Sequence, residues 1–96
     1  MLKIRLTQEA YVTANGQDYH DYTDECGNLT EEAVKSGIVY YTANAIDDEG
    51  NEYTVNWNIS DLNAYNNGDE DCCNWDEPDE IYSYADGKPV KAEIEW

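Results

Sequence analysis

The chain has 96 residues, 22 of them acidic and five basic, for a formal net charge of −17. That length has room for one domain with a modest core, burying about 60 to 65% of the surface its unfolded form exposes, and excludes two domains. The charge excludes steering toward bare nucleic acid or an anionic membrane, so an electrostatic partner has to be a basic surface or a cation.

High charge with a mean hydropathy of −0.85 is a composition that disordered chains share. Nine tyrosines, three tryptophans and alternating β-branched runs argue for a folded chain, because they can fill a core or cover a sheet face. The first residues lack the apolar run of a secretory signal, and no stretch approaches the roughly 18 apolar residues of a membrane span. Three cysteines, two of them adjacent, do not make the paired framework of a small secreted scaffold. The expectation is a monomeric cytoplasmic protein with reduced thiols and no cofactor.

In chain order, Leu2, Ile4 and Leu6 alternate with Lys3, Arg5 and Thr7, and the pattern runs on through Tyr11 to Ala14 before Asn15-Gly16. This predicts a first strand, bent near Glu9 and ended by a turn dipeptide that tolerates positive φ. Residues 17–23 are its expected hairpin partner. A short helix is predicted near residues 29–36, with Asn28 as cap, Glu31 as capping-box partner, Lys35 in the last turn and Gly37 as terminator. At about two turns it is too short to stand alone and has to rest on the sheet through Leu29, Ala33 and Val34.

Two β-rich runs, 38–46 and 52–59, flank Asp47-Asp48-Glu49-Gly50-Asn51 and predict a hairpin with an acidic turn. On the second run Tyr53, Val55, Trp57 and Ile59 share the inward face, while on the first either face can be inward. Residues 60–80 carry turn chemistry throughout and read as one long acidic loop within the domain that spans 1–96. Pattern returns at Ile81-Tyr82-Ser83-Tyr84, turns at Asp86-Gly87 and closes in an alternating run from Val90 to Trp96. The two terminal strands can pair, with Lys3, Arg5 and Lys91 on their outer faces. The fold class is α+β, mainly antiparallel sheet with one short helix.

The chemistry concentrates in residues 69–80, where seven of twelve residues are carboxylates and none is basic. A charge run of that kind is ordinarily a solvated tail, but Cys72, Cys73, Trp75 and Pro78 interrupt it, which suggests a tethered loop. Aligned as a calcium loop, Asp69, Asp71, Glu77 and Glu80 fall at ligand positions, but Asn74 stands where the turn glycine belongs and neither flank reads as a helix. Cys26, Cys72, Cys73 and His20 lack the spacing of a zinc site, and adjacent thiols on an extended backbone point apart, so only one of Cys72 and Cys73 is expected in the core. His20 with Cys26 as a nucleophile pair needs a contact that nothing local implies. Tyrosine combines apolar surface with a hydroxyl, as protein interfaces favour, and Tyr19, Tyr22, Tyr65, Tyr82 and Tyr84, among or near acids, are the interface candidates; stacking on sugars is the other use of such a strip.

A compact chain of this length has a diameter of roughly 33 Å, and 17 charges correspond to about 29 Å of duplex at one charge per ~1.7 Å. In its size, sheet-rich pattern, acidity, tyrosine excess and lack of a catalytic motif, the chain resembles the small phage-encoded inhibitors of host defence. The segment from Cys73 to Pro78, preceded by Tyr53-Thr54-Val55-Asn56-Trp57, adds to the likeness. These are the anti-CRISPR and anti-restriction proteins, several of which mimic DNA, and the resemblance is one of type. It implies a non-enzymatic inhibitor in the cytoplasm of a bacterial host cell, blocking the basic nucleic-acid-binding surface of an effector such as a Cas protein or a restriction enzyme. On that reading Asp69, Glu70, Asp71, Asp76, Glu77, Asp79 and Glu80 stand in for phosphates. Trp75 and Tyr82 supply contact area, and Asp47, Asp48 and Glu49 form a second contact. The alternatives are a small calcium- or ligand-binding module and an acidic antitoxin or immunity protein.

Overall fold

The computed structural model describes residues 2–14 and 19–95, the side chains of residues 19 and 20 excepted. Its six-stranded sheet is built around the predicted hairpin. β3 (Tyr40–Ile46) and β4 (Glu52–Asn58) pair antiparallel in a register that sets Tyr41 against Trp57, Ala43 against Val55 and Ala45 against Tyr53. This register decides which face of β3 is inward. The small alanines of β3 lie opposite the large residues of β4, so the two strands interdigitate on one face, while Thr54 and Asn56 turn to the other.

β1 (Leu2–Leu6) and β2 (Tyr11–Thr13) lie end to end along the free edge of β3. Leu6 pairs with Ala45 and Tyr11 with Thr42, so five steps on one side oppose three on the other and two residues loop out of the ladder. The polar run Thr7-Gln8-Glu9 falls in this bulge. Because the excess is an even number, the period-two pattern survives it, and Leu6 and Val12 both stay against the core. The predicted bend near Glu9 is therefore a break of residues 7–10. The turn predicted at Asn15-Gly16 lies outside the described residues, and Tyr19–Tyr22, expected as a strand, forms a 3-10 turn instead.

The sheet order is completed by β5 (Glu80–Ser83) beside β4 and β6 (Ala92–Ile94) beside β1. β5 is antiparallel, whereas β1 and β6 run parallel, with Ile4 opposite Ile94. The sheet is thus mixed, and the terminal strands meet in the one orientation a hairpin cannot give. Lys3 pairs with Glu95 across this seam at 3.7 Å, an exposed contact worth little to stability.

Helix α1 spans Glu31–Lys35, shorter than predicted, and its cap is Thr30 and not Asn28: the Thr30 hydroxyl accepts from the Ala33 amide at 3.4 Å. Thr30 is extended (φ −83°, ψ 150°), as a cap must be. Leu29 and Ala33 are buried and Val34 packs beside them, as the helix requires. Gly37 takes the chain away at φ 75°, where a side chain would be strained. A second helix, α2 (Leu62–Asn66), which the sequence pattern does not predict, and a 3-10 turn at Glu70–Cys72 interrupt what reads in sequence as one long loop.

The core gathers Ile4, Val39, Val55, Trp57, Ile59, Ile81 and both Cys72 and Cys73 between the sheet and these helical segments. Trp57 is fully buried, and its indole N–H donates to the Trp75 carbonyl at 3.1 Å, which removes the cost of enclosing a donor. The molecule extends 46 × 24 × 19 Å with a radius of gyration of 14.0 Å, longer than the compact shape expected from its length. Among the described residues no helix is long and apolar enough to cross a membrane.

Candidate functional site: an anchored acidic segment beside an aromatic groove

Residues 60–80 are held by a series of specific bonds. Asp61 caps α2 by accepting from the Ala64 amide at 3.1 Å. Asn66, on α2, bonds Leu29 in both directions, accepting from its amide at 3.0 Å and donating to its carbonyl at 3.4 Å. The Cys72 carbonyl then receives the amides of Ser60 (2.8 Å) and Asp61 (3.1 Å) and the Ser60 hydroxyl (3.2 Å). These bonds close the segment on itself, so the acids that follow stand on a fixed base.

The adjacent cysteines are both buried, which corrects the expectation that one would face out. Cys72 ends the 3-10 turn while Cys73 is extended (φ −132°, ψ 157°), and this change of backbone direction brings both side chains inward, with sulfurs 4.0 Å apart. Burial, then the neighbouring Cys72, pushes the Cys73 thiol up to about 12. It stays protonated at neutral pH, which withholds the thiolate that nucleophilic or metal chemistry needs. Cys26 is exposed, and the His20 side chain lies outside the described residues.

Trp75 fixes the next turn. Its indole N–H donates to the Glu70 carbonyl at 2.7 Å, and its ring stands edge-on to Trp57 at 5.3 Å and to Tyr41 at 5.2 Å. Tyr65 meets Tyr41 edge-on at 6.1 Å, so a continuous aromatic path leads from the core to the surface. Each such pair contributes on the order of 0.5–1.5 kcal/mol beyond its buried area. Burial, then the Cys72 thiol, pushes the Tyr41 phenol well above its usual range, so it remains a neutral wall. Asp79 closes the segment: its amide donates to the Asn56 carbonyl at 3.0 Å and its carboxylate accepts from the Asn58 amide at 2.7 Å.

The predicted acids therefore divide by use. Glu70, Asp71, Asp76 and Glu77 are exposed, and among the described residues only Glu77 has a side-chain partner, a long 3.4 Å bond from Asn74. Asp69 and Asp79 are exposed, but each commits one oxygen to a backbone amide, Asp69 to that of Asp71 at 3.0 Å. Glu80 is exposed on β5, and hydrogen bonding to it raises the pKa of Tyr82. Tyr82 pairs with Thr54 on the outward face of the sheet, away from Trp75, so these two do not form one contact surface.

The hairpin acids are separate again. Six steps along β4 at ~3.3 Å place them about 20 Å from the Asn58 end to which Asp79 is fastened. Asp47, expected as a contact, is corrected to a structural residue: it is buried, and its carboxylate accepts from the amides of Glu49 and Asn51 (both 2.9 Å), the Asn51 side chain (3.1 Å) and the Tyr53 hydroxyl (2.8 Å). Burial raises its pKa, but the bonds from Asn51, Tyr53 and Glu49 outweigh it and leave the carboxyl below its usual value. Asp48 and Glu49 are exposed, with Asp48 paired to Arg5 at 3.5 Å.

A groove of about 1220 Å³, which sequence reasoning missed, opens between the β1–β2 bulge and the acidic segment. Tyr41, Tyr65 and Trp75 line it with the apolar parts of Leu6 and Ala10, and Glu9, Asp69, Glu70 and Asp76 border it. Its only sequence trace is the interruption of alternation at residues 7–9. Among the described residues no group of three or more His, Cys, Asp or Glu is placed to hold a metal ion. No protein-family model matches the chain, and neither does a curated protein or a solved structure.

Proposed function

We propose that this protein is a non-enzymatic inhibitor that binds the basic nucleic-acid-binding surface of a defence nuclease, a CRISPR effector or restriction enzyme, and denies it to nucleic acid. The observation that carries this reading is the absence of internal compensation. Three of the five basic residues, Lys3, Arg5 and Lys35, pair with Glu95, Asp48 and Glu31, while Glu70, Asp71, Asp76 and Glu77 stand on an anchored segment without a cationic partner among the described residues. A fixed, unneutralised set of carboxylates attracts a Lys/Arg groove, releases its counterions and speeds association.

The dimensions modify the mimicry. A duplex 46 Å long carries about 27 charges at one per ~1.7 Å, against a net 17 here. The roughly 33 Å compact shape would nearly match duplex of its length; the observed length leaves about two-thirds of that line density, and local concentration on residues 69–80 has to supply the rest. The test is competition: the protein is expected to displace a labelled duplex from a purified guide-loaded effector, with affinity falling as salt rises. Failure to displace the duplex at any salt concentration would sink the reading.

A further inference from the structure

We infer that the groove between the β1–β2 bulge and the acidic segment is a receptor for an arginine side chain of the basic partner, a deepening that rests on the function proposed above. Three rings of differing orientation wall the groove: Trp75 stands at 81° and Tyr65 at 70° to the plane of Tyr41. Glu9 approaches from the bulge, and Asp69, Glu70 and Asp76 from the opposite side. No Lys or Arg lines it, although all five lysines and arginines of the chain are described. The groove is therefore apolar at its walls, negative at its border and, among the described residues, without a counterion.

That combination selects a cation with a flat, weakly hydrated face. A guanidinium stacks on an aromatic ring while its N–H groups reach carboxylates, and its methylene stem covers apolar surface; an ammonium is a more strongly hydrated point charge. The groove is larger than one side chain, so it admits the flanking backbone as well. The walls hold their shape without a ligand, since the Trp75 N–H is already engaged by Glu70 and the Trp75 carbonyl by Trp57. Little ordering is then required on binding.

The test uses the isolated protein and three probes, the N-acetyl methylamides of arginine, lysine and the neutral isostere citrulline, followed by the Trp75 indole N–H signal in a nitrogen-15 NMR titration. Arginine is expected to shift that signal and the amides of residues 6–10 saturably, binding at least tenfold more tightly than citrulline and more tightly than lysine. Glu70→Gln with Asp76→Asn, which leaves the backbone bonds intact, is expected to weaken arginine about tenfold, and Glu25→Gln with Glu93→Gln, exposed and away from the groove, to leave it unchanged. Equal binding of arginine and citrulline, or non-saturating shifts spread evenly over all the acids, overturns the inference. Because no effector is present, that failure removes the groove as a receptor and leaves the effector-binding reading to its own competition experiment.

Discussion

Two acidic stretches of this protein use similar residues in opposite ways. In the hairpin turn of residues 47–51 the first carboxylate is turned inward, where Asp47 gathers four hydrogen bonds that define the turn. In residues 69–80 the inward positions belong to Cys72, Cys73 and Trp75, and the freest carboxylates, those of Glu70, Asp71, Asp76 and Glu77, are left outside. What separates the two is the demand of the backbone. A tight turn exposes amides that only a local acceptor can satisfy, whereas in the longer segment the amides of Asp69, Glu77 and Asp79 donate to the carbonyls of Ala64, Asn74 and Asn56, and Asp69 caps that of Asp71. Acidity alone does not reveal the role of a residue; the amides within its reach do.

The difference can be attacked first at the structure both regions share. Trp57→Ala removes the fully buried ring against which Trp75 stands, and is expected to cost about 3–5 kcal/mol by urea unfolding. Loss of less than about 1 kcal/mol would show that the aromatic path is not what holds the acidic segment. Next in size, Asp47→Ala leaves two turn amides and the Tyr53 hydroxyl without their acceptor, and Tm is expected to fall by several degrees.

Asp47 also gives the comparison a pH dependence. Its folded pKa lies below the unfolded value of about 3.9. Its contribution is therefore present above pH 4 and lost as pH falls through the lower, folded pKa. Asp47→Asn is expected to flatten that part of a stability-against-pH curve, and an unchanged acid limb would contradict the assignment.

Charge removal in the other region is expected to act differently. Glu70→Gln, Asp71→Asn, Asp76→Asn and Glu77→Gln together are expected to change stability by no more than about 0.5 kcal/mol, or to raise it by relieving repulsion. Asp69 and Asp79 stay out of this variant because their carboxylates also cap backbone amides. The smallest effect belongs to Asp48→Asn, which breaks an exposed ion pair with Arg5 and is expected to leave Tm unchanged within error.

Much of the fold was legible in the sequence because its clearest pattern, the hairpin of β3 and β4, is also its centre, with Tyr53, Val55, Trp57 and Ile59 on the predicted inward face. α1 was legible in its terminating Gly37 and its buried Leu29 and Ala33, though its start was misplaced because Asn28 and Thr30 are both competent caps and only one is used. α2 was not legible: Leu62-Asn63-Ala64-Tyr65-Asn66 has weak helical propensity and is held by Asp61 and by the distant Leu29. The parallel pairing of β1 with β6 depends on contacts far apart in sequence, which alternation does not encode. For the same reason the acids of residues 69–80 could be named in advance, but not the groove beside them, since Glu9, Tyr41 and Trp75 meet only through the β1–β2 bulge and the folding of the acidic segment.

The most direct measurement is the affinity of the wild type and of the four-acid variant for a guide-loaded effector, at low and at high salt, with the fold of both checked by thermal unfolding. The prediction is tight binding by the wild type that weakens with salt, and at least a hundredfold loss at low salt for a variant that unfolds no earlier. Equal affinity of the two proteins, or an affinity indifferent to salt, would contradict the claim that the anchored acids are the binding surface.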